Sequence, residues 1–306
     1  MKLVNYDTYK YDYKNYWGNR DYEDKAEEMV LEDLLKKNTG DWFLDVGGSF
    51  GRNLSRYYNR YQHPVIIDYS LETLIKYQAV ISKTYPKTVL IAANAYKLPF
   101  KKQVFDGGLM VRVLHHIEKP DAYFKEIYRV LNGQAIYIQE FANKIHFKAR
   151  LRSILRLDFS IFTLEPYQQP NQGYNEGTRG ESTTFLNFHP QYIKNLMADE
   201  GFVVKKSIGA SFLRLNLFKR LFSTKILTSI ERFLQVTTSW MNASPSIFFL
   251  TEKPTLKEAI VYKDLYDTLV CPACNGELVF AKDRAICRKC RSKFSQKNGI
   301  WDFRTE

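Results

Sequence analysis

Short apolar runs alternate with stretches of helical periodicity along most of the chain. The runs predict buried strands at residues 43–46, 64–68, 89–92, 104–111, 135–140, 201–208 and 246–251. Between them, the pattern predicts helices at residues 21–37, 52–61 and 190–200. Strands that alternate with helices specify a mostly parallel sheet, so the sequence predicts an α/β domain.

The first predicted strand runs into a glycine-rich turn at residues 47–51. Glycines there let a ligand approach the backbone closely and permit dihedral angles that a side chain forbids. The dinucleotide pattern G-x-G-x-x-G fails in every register of this turn. The sequence instead fits acidic-x-Gly-x-small-x-Gly, with Asp45, Gly47, Ser49 and Gly51.

The ends of the next two predicted strands also carry polar residues. Asp68 ends the second strand, about 20 residues after the glycines, where a nucleoside-binding doubly wound fold places the carboxylate for the ribose hydroxyls. The third strand is followed by Asn94, Ala95 and then Leu98-Pro99-Phe100. Successive strand ends therefore supply candidate ligand-binding residues.

These motifs, in this order, resemble those of the class I S-adenosyl-L-methionine (SAM) methyltransferases, the broad group that includes the quinone-biosynthesis methyltransferases. The resemblance implies a Rossmann-like fold whose mostly parallel seven-stranded sheet has its last strand antiparallel. It also implies that SAM is bound by Asp45, Gly47, Gly48, Ser49, Gly51, Asp68, Tyr69, Asn94, Ala95, Val111 and Arg112.

Two residues depart from the family pattern. Ser49 stands where the family usually has its middle glycine, and Asn94 replaces the usual aspartate. Serine is small, so we expect a slightly altered turn that keeps the site. The side-chain carbonyl of Asn94 can still accept the adenine amine proton, so we expect adenine recognition to persist.

A pair of histidines, His115 and His116, follows the fourth strand, where the resemblance places the methyl acceptor. Histidine titrates near neutrality and suits a general base. The alternative is that the rings only pack or hydrogen-bond there, because positioning of the acceptor alone can suffice for methyl transfer. The preceding residues, 112–114, lack the motif of the amine methyltransferases, which argues mildly against methylation of adenine or glutamine nitrogen.

The regions outside the predicted core are an N-terminal lid and helix at residues 1–40 and two inserts within a methyltransferase domain at 41–252. In the lid, Tyr16, Arg20 and Tyr22 either line the pocket or pack as an aromatic tail. The inserts, at about 141–190 and 211–242, are basic and apolar. The second has an apolar stripe made of Leu215, Phe218, Phe222, Leu227, Ile230 and Phe233. Such a stripe can lie on a membrane, but we expect it to pack on its own domain.

After a linker at residues 253–263, four cysteines define a C-terminal segment at 264–306. Cys271, Cys274, Cys287 and Cys290 form two C-x2-C pairs, the arrangement of a structural zinc site. The segment resembles the small zinc-ribbon protein that activates tRNA, rRNA and protein methyltransferases. We expect one structural Zn²⁺ per chain, with iron as the alternative metal.

The chain's net charge of +12 favours anionic partners, which include RNA, a membrane surface and an acidic substrate. No apolar run approaches the ~20 residues of a membrane helix, and the N-terminus lacks a signal core. We therefore expect a cytoplasmic protein, and no obligate protein partner is evident.

The predicted function is SAM-dependent methylation of a small-molecule or lipid-like acceptor. RNA methylation, of tRNA or rRNA, is the alternative, since the ribbon and the charge favour it but no added RNA-binding domain is visible. A non-catalytic SAM-fold scaffold is the second alternative, and the presence of Asp45, Gly47 and Asp68 speaks against it.

Overall fold

The computed structural model describes residues 13–18, 20–169, 185–256 and 260–305. Its helices are α1 (Tyr13–Tyr16), α2 (Asp21–Leu35), α3 (Leu54–Tyr57), α4 (Leu71–Thr84), α5 (Pro120–Val130), α6 (Phe147–Arg156), α7 (Pro190–Asp199), α8 (Asn216–Leu221), α9 (Thr224–Thr237) and α10 (Leu265–Thr268). Its strands are β1 (Gly40–Val46), β2 (Tyr61–Asp68), β3 (Val89–Ala92), β4 (Phe105–Met110), β5 (Leu131–Ala142), β6 (Tyr167–Gln168), β7 (Leu186–Asn187), β8 (Val203–Ala210), β9 (Ser246–Glu252), β10 (Leu278–Ala281), β11 (Arg284–Cys287), β12 (Lys293–Lys297) and β13 (Ile300–Asp302).

Seven of these strands form the central part of one sheet, in the order β3-β2-β1-β4-β5-β9-β8. The first five run parallel, whereas β9 is antiparallel to both β5 and β8. The predicted sheet, mostly parallel with an antiparallel last strand, is therefore confirmed. Because the strands are covered by helices, β1 and β2 are nearly continuous runs of buried residues.

One predicted helix is much shorter in the structure. Residues 52–61 were predicted to be helical, but α3 spans only Leu54–Tyr57. The backbone N–H of Tyr58 closes the last turn on Leu54, and Tyr61 already pairs with Gly40 at the start of β2. The helix therefore ends early, because the residues that follow it already belong to a central strand.

The cysteine-rich segment continues the main sheet and does not form a separate layer. Its last strand, β13, lies parallel to β3, with Trp301 opposite Ile91, and β12, β11 and β10 follow outward as antiparallel strands. Trp301 and Phe303 are fully buried in the core that also contains Phe100. A segment this short gains most of its burial from the domain beside it.

The insert at 211–242 contains two helices, α8 and α9. The expectation that its apolar stripe packs on the domain was wrong. Leu227 is buried, but Leu215, Phe222, Ile230 and Phe233 are exposed. Over the described residues, no helix is both long and apolar enough to cross a bilayer.

Candidate functional site

A cavity opens at the carboxyl ends of β1, β2 and β4, where the strand order reverses around β1. Parallel α/β sheets bind ligands at such a point. The residues lining the cavity are Trp17, Val46, Gly47, Gly48, Ser49, Phe50, Arg52, Asn53, Ile67, Asp68, Tyr69, Ser70, Thr73, Ala93, Ala95, Val111, Arg112, Val113, His116 and Ile117.

The glycine turn forms one wall of the cavity and depends on left-handed backbone. Gly47 has φ of +73°, and a Cβ there would lie 2.5 Å from a methyl group of Val113. Ser49 also adopts positive φ, at 47°, which costs a non-glycine residue about 1–2 kcal/mol. The turn therefore keeps its left-handed backbone conformation with serine at position 49. The backbone of the turn lies along the cavity.

Asp68 is fixed at the cavity wall by two main-chain hydrogen bonds. Its carboxylate accepts from the N–H of Ser49 at 3.0 Å and from the N–H of Ser70 at 2.9 Å. A carboxylate at the end of this strand is the group with which a nucleoside-binding doubly wound fold holds ribose hydroxyls. The contact with Ser49 also ties the end of β2 to the glycine turn.

Two arginines on the cavity wall share one buried carboxylate on α2. Glu27, which is fully buried, accepts hydrogen bonds from Arg52 and from Arg112, the former at 2.7 Å. Burial alone would raise the pKa of Glu27, but the guanidinium groups of Arg112 and Arg52 outweigh it and hold this pKa below its usual range. Asp24 also pairs with Arg52 at 2.7 Å, so the two arginines and the two carboxylates carry no formal net charge. Arg52 also stacks on Trp17, 3.8 Å from the ring centroid.

Sequence reasoning missed Glu27, Arg52 and Trp17. Arg52 follows the glycine turn directly, whereas Trp17 belongs to the aromatic N-terminal segment. A signal for Glu27 was present, because it lies next to Ala26 on the apolar face of the predicted helix. A carboxylate on a buried helix face requires a partner.

Four predicted site residues do not line the cavity. They are Asp45, Gly51, Asn94 and His115. Asp45 is buried behind the turn, where it accepts from the Tyr57 hydroxyl at 2.8 Å, and burial raises its pKa to about 7. A Cβ on Gly51 would lie 2.6 Å from Leu54, so this glycine serves helix packing.

Asn94 is occupied by main-chain partners. Its side-chain oxygen accepts from the N–H of Tyr96 at 2.9 Å, and its amide donates to the carbonyl of Thr305 at 3.3 Å. Ala93, Ala95 and Ile117 form the cavity wall nearby. Asn94 thus supports that wall from behind and links it to the C-terminal segment.

The two histidines lie in a short 3-10 turn, Leu114–His116, directly after β4. His116 faces the cavity, whereas His115 packs against Phe185, with ring centroids 4.3 Å apart. Burial, followed by the neighbouring His116 and Arg112, lowers the pKa of His115 well below its usual value. His115 is therefore neutral at neutral pH, and only His116 is placed to meet a bound molecule.

Of the three predicted lid residues, none lines the cavity. Tyr16 packs on Trp17, and the Arg20 guanidinium stacks over Tyr16. Tyr22 is buried and donates its hydroxyl hydrogen bond to Glu231 of α9. The N-terminal segment thus contributes Trp17 to the cavity and packs its tyrosines elsewhere.

The four cysteines form a second candidate site, at the far end of the sheet. Their sulfur atoms all lie within 4.8 Å of one another, with Cys271 and Cys290 at 3.6 Å and Cys274 and Cys287 at 3.5 Å. Tetrahedral zinc with Zn–S bonds of about 2.3 Å requires S···S separations of about 3.8 Å. The arrangement therefore fits a closed four-thiolate zinc site.

Part of the chain that lines this cavity matches a known family of proteins. Residues 44–138 match the family model described as a methyltransferase domain. The uncharacterized protein MJ1252 of Methanocaldococcus jannaschii is 31% identical over 141 residues, which are 45% of this chain and 52% of the relative. MJ0638 of the same organism is 32% identical over 145 residues, 45% of this chain and 58% of the relative. The chain thus spans about half the length of these curated relatives.

Solved structures share the fold at low sequence identity. A SAM-dependent methyltransferase from Thermotoga maritima superimposes with a TM-score of 0.53 at 15% identity, covering 81% of this chain and 98% of that one. A chain of a Haloferax volcanii complex that contains the Trm112 methyltransferase activator gives 0.54 at 13% identity, covering 83% and 100%. Residues 44–138 therefore match a methyltransferase-domain model, and the chain shares the fold of a solved SAM-dependent methyltransferase.

Proposed function

We propose that this chain transfers the methyl group of SAM to a small-molecule or lipid-like acceptor bound beside His116. The observation that carries the proposal is the convergence, on one cavity, of the left-handed glycine turn, the fixed Asp68 and the Arg52–Arg112 pair. These groups supply a diol acceptor, a close backbone approach and cationic donors. SAM carries a ribose diol, which suits the acceptor, and a carboxylate, which suits the cationic donors.

Each element has a role in this proposal. Asp68 accepts the ribose hydroxyls, while Gly47 and Gly48 leave room for the backbone to meet the cofactor. Arg52 and Arg112 receive the amino-acid carboxylate, with Glu27 holding both guanidinium groups in place. Glu27 and Asp24 balance the two positive charges formally, so the arginines would hold the carboxylate through the several N–H donors that each guanidinium group carries.

SAM, when bound, supplies an activated methyl group, so the chain mainly holds the acceptor in line with it and excludes water. His116 lies on the cavity wall and can accept a proton from an acceptor hydroxyl, amine or carbon acid. His115 and Phe185 pack beside it and fix the turn that carries it. The proposed zinc, held by the four cysteines, has a structural role.

The acceptor class is the finer part of the proposal. A lipid-like acceptor is favoured because aliphatic side chains are exposed on α6 and α9. RNA is the competing class, and the net charge of +12 keeps it open. A scaffold that binds SAM without turnover is the remaining alternative.

The proposal is tested by incubating the purified full chain with methyl-tritiated SAM and a fractionated cell extract. We expect label in the organic-soluble or small-molecule fraction, with the product then identified by mass. Label confined to an RNase-sensitive fraction would transfer the function to RNA. SAM binding without labelled product in any fraction would favour the scaffold.

A further inference from the structure

Helix α9 is turned so that its polar stripe faces the domain. Leu227, Glu231 and Gln235, spaced by four residues, are buried. Glu231 accepts from the N–H groups of Ser211 and Phe212, and Gln235 donates to the carbonyl of Ala26 on α2. The contacts that hold α9 are therefore largely polar, and its apolar side chains point elsewhere.

The outward side of α9 is apolar. Ile226, Ile230, Phe233 and Val236 have exposed fractions between 40% and 73%. Just beyond the helix, Trp240 is 79% exposed. A helix in a water-soluble domain normally has the opposite orientation, with its apolar stripe inward.

Helix α6 shows the same inversion. Its buried residues are the small Ala149 and Ser153, whereas Phe147, Leu151, Ile154 and Leu155 are between 48% and 76% exposed. The start of α6 contacts the segment that follows α9, because the N–H of Phe147 donates to the carbonyl of Ala243 at 2.8 Å.

We call the exposed apolar side chains of α6, of the residues that follow it, and of α8, α9 and Trp240 the apolar face. It consists of Phe147, Leu151, Ile154, Leu155, Leu157, Phe159, Phe162, Leu164, Leu217, Leu221, Ile226, Ile230, Phe233, Val236 and Trp240. Exposed apolar patches of this extent on a soluble domain mark a binding surface.

The exposed charges on the three helices of the apolar face are of one sign. Lys148, Arg152, Arg156, Arg220 and Lys225 are exposed on α6, α8 and α9. The sole carboxylate within these three helices is Glu231, which is buried. Two exposed acids, Asp158 and Glu165, lie in the segment that follows α6, so the charge around the apolar face is net positive and not of one sign throughout.

We propose that the apolar face docks on an anionic membrane surface. Apolar helix faces flanked by lysine and arginine lie in the headgroup region, where apolar side chains enter the acyl boundary and cations meet anionic lipids. A second copy of the chain would bring like charges together. RNA binding relies on stacking of bases on aromatic rings, yet most side chains of the face are leucine, isoleucine or valine.

The docking surface lies beside the cavity. Strands β5 and β8 end at the same edge of the sheet as β4 and lead directly into α6 and toward α8. A bilayer under the apolar face is therefore adjacent to the opening near His116. This consequence, that the acceptor enters from the lipid phase, rests on the proposed function, whereas the docking itself does not.

Docking is tested with Trp240 as an internal reporter, since Trp42 and Trp301 are buried and Trp17 is partly buried. The full chain is mixed with vesicles of phosphatidylcholine alone or of equal parts phosphatidylcholine and phosphatidylglycerol. We expect a blue shift of emission and co-flotation with the anionic vesicles. Trp240→Phe should abolish the shift and keep flotation.

Variants separate the apolar and charged contributions. Leu155→Glu and Phe233→Glu should each weaken binding by about tenfold or more, and Lys148→Gln or Arg152→Gln by about fivefold. Val80→Glu is the matched control, because Val80 is 62% exposed on α4, which packs at the other end of the sheet. It should bind as the wild type does.

Three results would overturn docking. The first is the absence of binding to anionic vesicles, and the second is vesicle binding that both glutamate variants retain. The third is a dimer in sedimentation that Phe233→Glu dissociates, which would assign the face to a second copy. Because none of these measurements uses SAM, a failure of docking is distinguishable from a failure of methyl transfer.

Discussion

Asn94, just after β3, donates its side-chain amide to the main-chain carbonyl of Thr305, 211 positions later in the chain. The neighbouring N–H of Phe303 donates to the carbonyl of Ala92 at 2.8 Å. The same short stretch that supports the cavity wall through Ala93 and Ala95 therefore holds the end of the cysteine-rich segment. The two candidate sites are mechanically connected.

Removal of the proposed zinc should therefore affect both sites. Metal binding in small ribbons is effectively their folding energy, so a chelator or Cys287→Ser should unfold residues 264–305 and release Asn94. We expect faster hydrogen exchange in residues 89–95 and SAM affinity reduced by about 3- to 10-fold, the worth of a lost hydrogen bond. Zinc added back should restore both. Unchanged exchange in residues 89–95 of metal-free protein would contradict the coupling.

Asp68→Ala should lower SAM affinity by about 1.5–3 kcal/mol, the size of hydrogen bonds to a charged group. Calorimetry on the folded variant measures the effect. Glu72→Ala, at an exposed carboxylate on the neighbouring α4, is the control and should bind normally. Equal affinities in the two variants would remove Asp68 from the cofactor site.

Glu27→Gln should destabilise the fold by about 2–4 kcal/mol, because the partly buried guanidinium group of Arg112 loses Glu27 as its carboxylate partner, whereas Arg52 keeps Asp24 at 2.7 Å. Urea unfolding measures the change. Glu32→Gln, an exposed position on the same helix, should change stability little. If the two variants are equally stable, the Glu27 network contributes nothing to the fold.

Asp45→Asn should make stability less dependent on pH. Burial raises the pKa of Asp45 to about 7, so between about pH 4 and pH 7 the folded chain binds a proton that the unfolded chain has released. Wild-type stability therefore falls through this window, by up to about 1.4 kcal/mol per pH unit from this group. The variant's stability minus that of the wild type should rise with pH and level off above about pH 7. A constant difference would contradict the raised pKa, and exposed Asp41→Asn serves as control.

His116→Gln should reduce methyl transfer by about 100-fold if its ring accepts the acceptor proton, with SAM affinity unchanged. His115→Gln is the paired comparison and should cost less activity, because that ring packs on Phe185 outside the cavity and only steadies the turn that carries His116. The labelled acceptor fraction of the extract provides the assay. Comparable rates for both variants would leave His116 with a packing role.

The strand ends were the predictable part of this molecule. Apolar runs fix which residues lie in parallel strands, so the meeting of Asp68 with the glycine turn follows from strand order alone. The contact between Glu27 and Arg112 joins residues 85 positions apart, and no local pattern specifies it. The orientation of α9 could not be predicted from the sequence either. Periodicity identifies the apolar stripe of a helix, but it does not show which side of the helix packs on the domain. Polar contacts made by Glu231 decided it.

The place of β13 beside β3 has a consequence for solubility. Without residues 264–305, β3 would become the open edge of a long sheet, with unpaired N–H and C=O groups next to exposed core residues such as Phe100. Open edges of this kind template strand addition between molecules and lead to aggregation. A chain truncated after residue 252 is therefore expected to aggregate because of its uncapped edge, even if every residue of the cavity is intact.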